Sequence, residues 1–176
     1  SLGKVYSLRL FEVPESSLKA RGKPIINLLP FSSFEKIATI LPLPINESEW
    51  VNQYLIFSTK KGMVRKNMLV DVAKSGKREL RETGKLSIKL KVNDELIGVD
   101  TAQDTQDIML STTDGKCLRF PVKSLRLFSG LNSSGVRGIK LDKGNRIISL
   151  AILKHSVIDM SIRQEYLRAA SESRKE

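Results

Sequence analysis

Residues 58–69 read STKKGMVRKNML, and residues 111–122 read STTDGKCLRFPV. Both stretches begin with Ser-Thr, continue with two polar residues and a glycine, and then carry basic residues after the glycine. A glycine at the end of a tight turn can adopt a positive φ without a Cβ clash, so each stretch predicts a β-hairpin. Because the same short pattern occurs twice, the chain is expected to contain a repeated structural unit.

Alignment on these glycines extends the repeat to most of the chain. YLIFSTKKGMVRK aligns with DIMLSTTDGKCLRF, and GKLSIKLKVNDELIGV from Gly84 aligns with GVRGIKLDKGNRIISL from Gly135 without a gap. An earlier copy contains GKVYSL and GKPIINLLPFSSFEKIATI and lacks the opening strand of the unit. The equivalent glycines of the three copies are Gly3, Gly62 and Gly115.

Each unit is predicted to consist of four short β-strands. In the second unit the candidate strands are residues 54–59, 63–69, 86–90 and 96–100, which are rich in Leu, Ile and Val and are bounded by turn residues. One such unit cannot cover both faces of its own sheet, so successive units are expected to pack on one another as propeller-like blades. A barrel or sandwich built from three hairpin-rich copies is the alternative.

The repeats therefore predict an all-β fold with blades at about residues 2–43, 54–101 and 107–153. The β pattern stops near His155, where HSVIDMSIRQEYLRAASESRKE begins. Ser161 with Gln164 predicts a capping box, so residues 154–176 are expected to form a helical insertion or linker, with a frayed charged tail as the alternative. The apolar face of this helix would consist of Ile162, Tyr166, Ala169 and Ala170.

The charge balance indicates a polyanionic partner. The 176 residues include 30 Lys and Arg against 19 Asp and Glu, which gives a formal net charge of +11. Basic residues concentrate after the hairpin glycines and in the long loops 11–23, 70–85 and 122–136. Charges that recur at equivalent positions of a repeat form a stripe, and a stripe fits a curved nucleic acid. A basic charge that serves solubility alone is the alternative.

The candidate DNA-binding cations flank the hairpins or lie in and beside the long loops. They are Lys4, Arg21, Lys23, Lys60, Lys61, Arg65, Lys66, Lys77, Arg78, Lys116, Arg119, Arg126 and Arg137. By contrast with Lys77 and Arg78, Lys143 and Arg146 lie at the opposite turn, and we expect them to face the other side.

Motifs for catalysis and for cofactors are missing from the sequence. His155 has no Ser or Cys close to it in the chain, and one His with one Cys cannot form a zinc site. No G-x-x-x-x-G-K-[S/T] loop occurs, and no apolar run reaches the roughly 18–20 residues of a membrane helix. Cys117 lies in an alternating segment and is expected to be a buried small hydrophobe. The residues thus favour a binding domain over a catalyst, with a structural role for His155.

Four segments carry a resemblance to a known family. They are ARGKPIINLLP (20–30), GKLSIKLKVNDELIGVD (84–100), DIMLSTTDGKCLRF (107–120) and SGVRGIKLDKGNRIISLAIL (134–153). These segments resemble the C-terminal domain of the A subunit of bacterial DNA gyrase, and the similarity spans about residues 2–153. The resemblance implies a β-pinwheel, which is a ring of propeller-like blades whose basic outer edge wraps double-stranded DNA.

The same resemblance implies a cellular setting. The intact protein would be an ATP-dependent DNA topoisomerase, an isomerase, and this part would support negative supercoiling by non-sequence-specific binding and bending of duplex DNA. Its partners would be double-stranded DNA and, in an A2B2 assembly, the B subunit together with the N-terminal region of the A subunit. ATP and magnesium are expected elsewhere in the holoenzyme and no cofactor in this chain. The location would be the bacterial cytoplasm at the nucleoid, with no membrane contact.

The sequence departs from the family in two respects. The family's short box rich in glutamine, arginine and glycine, which closes the DNA wrap, has no match here, and three blades leave closure of a full ring open. Two alternatives also remain open. One is the related C-terminal domain of the A-type subunit of topoisomerase IV. The other is a protein-binding propeller scaffold, which would carry apolar or mixed-sign loops.

Overall fold

The computed structural model describes residues 1–32, 35–74, 80 and 83–172. Within these ranges the strands are β1 (Lys4–Val5), β2 (Tyr54–Thr59), β3 (Met63–Met68), β4 (Lys85–Leu86), β5 (Leu96–Ala102), β6 (Gln106–Thr112), β7 (Cys117–Pro121), β8 (Val136–Arg137) and β9 (Ile147–Lys154). The helices are α1 (Leu69–Lys74) and α2 (Met160–Glu172), and short 3-10 turns lie at Leu10–Glu12, Ile25–Asn27, Glu47–Trp50 and Val122–Ser124.

The described strands form three antiparallel sheets that repeat one arrangement. The second sheet has the order β5-β2-β3-β8, the third has the order β7-β6-β9, and the first pairs β1 with β4. The strands β5 and β9 contact each other, so the second and third sheets meet at these inner edges. The strands β8 and β7 lie at the opposite edges of their sheets, which we call the outer edge. The predicted all-β architecture of propeller-like blades is confirmed.

The outermost strand of a sheet comes from the following repeat. Met63 of β3 pairs with Arg137 of β8, which belongs to the third repeat, and Lys4 of β1 pairs with Leu86 of β4, which belongs to the second. We call these pairings the β3–β8 joint and the β1–β4 joint. The sequence predicted four contiguous strands for each blade instead. A strand of two residues has too little periodicity to indicate which sheet it joins.

Among the described residues, no further strand lies beside β7. The expectation that Cys117 is buried is therefore wrong. Val64 in β3 is 0% exposed because β8 and the third sheet cover it. Cys117 occupies the equivalent position in β7 and is exposed. The alternation of the sequence was correct, but burial also requires a neighbour on the other side.

Two apolar clusters hold the repeats together. One lies between the second and third sheets and includes Ile56, Ile108 and Ile147, which are 0–1% exposed. The other packs Phe57 of β2 against Ile88, which follows β4. Each cluster draws residues from more than one strand pair, so a single repeat would leave much of its apolar surface exposed to water.

The first repeat departs from the predicted blade. Apart from β1, its described residues form 3-10 turns and irregular segments. Within the described ranges, residues 37–43 have no neighbouring strand to which their backbone groups can bond. The missing neighbour explains why an apolar segment equivalent to β5 is not a strand here.

Both helices differ in detail from the sequence prediction. Residues 70–85 were predicted as a loop, yet α1 directly follows β3 and buries Leu69 and Val72. The helix α2 begins at Met160, and Asp159 rather than Ser161 caps it, because the Ser161 backbone N–H donates to Asp159 Oδ1 at 2.8 Å. Among the described residues, neither helix has the length and apolar character required to cross a membrane.

Candidate nucleic-acid interface

Two arginines are exposed at the outer edge beside the β3–β8 joint. Arg137 lies in β8 itself, and Arg126 lies in the loop that precedes it. Neither forms an ion pair with a carboxylate among the described residues, and the guanidinium of Arg126 lies over the Phe128 ring, with Cζ 5.3 Å from its centroid. These two predicted site residues are therefore open to an external anion.

The predicted hairpin cations lie at one end of the blades. Lys60 Nζ pairs with Glu95 Oε2 at 3.3 Å, and Lys61 Nζ donates to the Val92 carbonyl at 2.8 Å. Lys60 and Lys61 thus extend from the β2–β3 hairpin toward the neighbouring turn, and Lys61 is the more exposed of the two.

Lys116 has the same setting in the third repeat. Its Nζ bonds to Asp142 and lies 3.0 Å from Asp114 Oδ2, and these two carboxylates raise the pKa of Lys116. A cation that is neutralised in this way attracts a phosphate less strongly than an unpaired one.

The placement of Lys143 and Arg146 relative to Lys77 and Arg78 stays a prediction, because Lys77 and Arg78 lie outside the described residues. The Thr113 backbone N–H donates to the Arg146 carbonyl at 3.0 Å, so their turn lies directly beside the β6–β7 hairpin. The reason is topological, because β9 runs antiparallel to β6 and begins where the hairpin turns. Both residues therefore share the end of the blade that carries Lys116.

Two predicted site residues, Arg65 and Lys66, are buried, and this corrects the prediction that they contact DNA. Arg65 is 0% exposed and donates from Nη1 to the Leu131 carbonyl at 2.9 Å. Lys66 is 4% exposed and pairs through Nζ with Asp104 Oδ1 at 2.8 Å. The strand β3 lies between β2 and β8, and its residues 63–67 are all buried.

Lys66, Asp104 and Tyr54 contact one another at the end of the second sheet that lies opposite its hairpin. Lys66 Nζ lies 4.3 Å from the Tyr54 ring centroid, and the Tyr54 hydroxyl donates to Asp104 at 2.9 Å. Hydrogen bonding from Lys66 holds the pKa of Asp104 below its ordinary value.

The equivalent positions of the third repeat hold another ion cluster. There Asp107 accepts from Arg119 Nε at 2.7 Å and contacts His155 Nδ1 at 2.8 Å. This contact agrees with the structural role expected for His155. The Arg119 side chain keeps 48% of its surface exposed, so it remains within reach of an external anion while it bonds to Asp107.

The remaining predicted residues divide by position. Lys4 pairs with Glu35 at 3.2 Å, while Arg21 and Lys23 are exposed on the irregular first repeat. Lys77 and Arg78 lie outside the described residues.

Sequence reasoning missed one further pair of cations, Lys89 and Lys140. Both are exposed, and neither pairs with a carboxylate in the described part of the chain. Lys89 follows Ile88 and Lys140 follows Ile139, and each isoleucine packs on a hairpin glycine of the preceding repeat. In the third repeat, the Ile139 carbonyl oxygen would lie 3.1 Å from a Cβ added to Gly62. The signal was available as the repeated Ile-Lys-Leu of GKLSIKL and GVRGIKL.

Comparison with known proteins agrees with this architecture. The family model described as "DNA gyrase C-terminal domain, beta-propeller" matches residues 1–30 and 106–154. The A subunit of DNA gyrase from Rickettsia bellii (strain RML369-C) is 39% identical over 176 residues, which are 100% of this chain and 19% of that protein. The chain thus spans about a fifth of the length of such relatives.

Solved structures agree as well. The crystal structure of the C-terminal domain of DNA topoisomerase IV matches 87% of this chain and 45% of its own, with a TM-score of 0.73 and 25% identity. The DNA gyrase A C-terminal domain matches 86% of this chain and 45% of its own, with a TM-score of 0.61 and 18% identity, a likeness of fold. With its exchanged outer strands and repeated blades, the chain belongs to the DNA gyrase C-terminal domain family of β-propellers.

Proposed function

We propose that this domain binds duplex DNA without sequence specificity and bends it along the outer edge of its blades. The observation that carries the proposal is the exposure of Arg126 and Arg137 beside one joint, without an ion-pair partner among the described residues. Guanidinium groups at such positions can bind phosphate oxygens, and phosphate contacts carry no sequence information. The net charge of +11 supports attraction of a polyanion from a distance.

In the intact protein, this domain would hold DNA close to the breakage and rejoining site of the gyrase. The partners would be the B subunit, in an A2B2 assembly, together with the N-terminal region of the A subunit, with ATP and magnesium bound outside this chain. DNA held on the outer edge would support negative supercoiling in the bacterial cytoplasm. The support is the similarity to gyrase A subunits along the whole chain.

The A-type subunit of topoisomerase IV is the second candidate. It is favoured by the fold match with a TM-score of 0.73. The gyrase assignment takes precedence because 39% identity along the whole of this chain carries more information about descent than 25% identity in a shared fold. Both candidates place duplex DNA on the outer edge.

Salt dependence of DNA binding tests the proposal. Each phosphate contact releases counterions, so log K should fall with log salt by about 0.9 per contact. If roughly five or six cations engage, raising salt from about 50 to 200 mM should weaken binding on the order of a thousandfold. An affinity that is independent of salt, or a marked preference for one duplex sequence, would contradict DNA binding through phosphates and favour a protein-binding scaffold.

A further inference from the structure

The loop between β7 and β8 is held by the preceding repeat at Phe128. The Phe128 backbone N–H donates to the Lys66 carbonyl at 2.9 Å, and its carbonyl accepts from Asn67 Nδ2 at 2.6 Å. Lys66 and Asn67 belong to β3, so the position of Phe128 is determined by the second repeat although its sequence belongs to the third.

Two guanidinium groups lie over the Phe128 ring. Cζ of Arg65 and Cζ of Arg126 are each 5.3 Å from its centroid. Arg65 is 0% exposed and is anchored by the Leu131 carbonyl, whereas Arg126 is exposed. The ring therefore connects a fixed interior arginine with one at the outer edge.

This arrangement bears on how an arginine binds phosphate. A free arginine loses side-chain entropy when it binds, and an aromatic neighbour that already restrains the guanidinium reduces that loss. Arg126 donates no hydrogen bond within the described part of the chain, so its N–H groups remain available as donors to a phosphate.

We propose that Phe128 is a positioning residue, which presents Arg126 to a DNA phosphate at the β3–β8 joint. This inference rests on the proposed function. It adds that the preceding blade, through Asn67 and the Lys66 carbonyl, determines where a cation of the next blade meets DNA.

The test is a double-mutant cycle on DNA affinity, measured by fluorescence anisotropy with a duplex of about 30 bp at several salt concentrations. Phe128→Leu should weaken binding about two- to fivefold while the salt slope stays unchanged, because the phosphate contact still forms. Arg126→Ala should reduce the salt slope by about 0.9. In the Arg126→Ala background, Phe128→Leu should cause no further loss.

Controls separate positioning from folding. Phe128→Tyr keeps the ring and should keep wild-type affinity, and Phe128→Met fills a similar volume without a ring and should behave like Phe128→Leu. Melting temperatures identify which ring-less variant remains folded. Arg137→Ala removes a cation beside the same joint that does not contact Phe128, so its effect should add to that of Phe128→Leu.

The outcomes distinguish this inference from the proposed function. If Phe128→Leu weakens binding equally with and without Arg126, or if Arg126→Ala leaves both affinity and slope at wild-type values, the positioning role is wrong and DNA binding stands. If the wild-type chain shows no salt-dependent affinity for duplex DNA, both are wrong.

Discussion

At the scale of single residues, Arg65 links the second repeat to the loop of the third. Its Nε donates to Asn67 Oδ1 at 2.8 Å, and its Nη1 bonds to the Leu131 and Ser133 carbonyls. Burial lowers the pKa of Arg65, and no carboxylate among the described residues balances its charge. Carbonyl dipoles and the Phe128 ring therefore stabilise this cation.

Replacement of Arg65 should loosen the β3–β8 joint. Arg65→Met would leave the Leu131 carbonyl without its donor. We expect the free energy of unfolding, measured in urea at neutral pH, to fall by about 1–3 kcal/mol. Arg137→Met changes an exposed arginine of the same joint and should stay within about 0.5 kcal/mol of wild type. Equal unfolding midpoints for the two variants would show that Arg65 does not hold the loop.

Acid stability should depend on Asp107. Burial by itself raises the pKa of Asp107, and hydrogen bonds from His155 and Arg119 outweigh it, so the pKa lies below its ordinary value. A carboxyl whose folded pKa is depressed stabilises the protein at pH values above its unfolded pKa, which is about 3.9 for Asp. This stabilisation is lost as the pH falls toward the folded pKa.

The Asp107→Asn variant removes this titrating group. Its unfolding free energy, followed in urea from about pH 5 to about pH 2, should therefore fall less steeply on acidification than that of the wild type. Parallel pH profiles for the two proteins would argue against the Asp107 cluster as a source of acid sensitivity.

At the scale of elements, the β2–β3 hairpin could be predicted because its information is local. The turn glycine and the apolar pattern lie within one short window, and β2 occupies the residues that the sequence indicated, Tyr54–Thr59. The β3–β8 joint could not be predicted, because Val136 and Arg137 pair with residues more than seventy positions earlier. Such pairing depends on how two repeats pack, which no local pattern records.

The contrast between local sequence patterns and packing between distant residues also applies to the candidate site. Arg126 lies in a loop and Arg137 at the end of the two-residue strand β8, and both are exposed, as expected for residues in or beside a long loop. Arg65 was misassigned because a basic residue beside a hairpin ordinarily faces water. The sequence contains evidence against that assignment, because the equivalent residues in the other repeats are Tyr6 and Leu118, which carry no charge. A cation that does not recur is weaker evidence for a stripe.

The close approach of strands at the β3–β8 joint predicts different sensitivities of two glycines to substitution. Gly135 has φ +80°, and a Cβ there would lie 2.3 Å from the Val64 carbonyl oxygen, whereas Gly115 has φ +77° with nothing within 4 Å. Both alanine variants incur left-handed strain of about 1–2 kcal/mol. Gly135→Ala must also push the strands apart.

We therefore expect Gly135→Ala to lose about 1–3 kcal/mol more unfolding free energy than Gly115→Ala, which is the typical cost of overpacking in a closed site. Urea denaturation of both variants measures the difference. Equal losses would mean that β8 can move away from β3 without cost.

At the scale of the whole molecule, the two joints repeat the same backbone contacts. Across the β1–β4 joint the Ser87 N–H donates to the Gly3 carbonyl at 2.8 Å, and across the β3–β8 joint the Gly138 N–H donates to the Gly62 carbonyl at 2.9 Å. Repeated joints fix each blade relative to the next in the same way. Cations at equivalent positions, such as Lys89 and Lys140, are thus expected at regular spacing along an arc.

An arc of cations predicts that DNA must bend to contact more than one blade. Bending a site of 20–30 bp by 40–90° costs on the order of 1–6 kcal/mol, which additional phosphate contacts must exceed. Affinity should therefore rise with duplex length until every blade is occupied and then level off, with a modest advantage for duplexes rich in flexible pyrimidine–purine steps.

Energy transfer between dyes at the two ends of a duplex of about 40 bp should increase when the protein binds, because the ends approach each other. A variant with both Arg126 and Arg137 replaced by Ala should bind more weakly and bring the ends together less at saturation, since the contacts at one joint no longer offset the bending energy. Bound duplexes whose ends remain as far apart as in free DNA would show that the blades attract DNA without bending it.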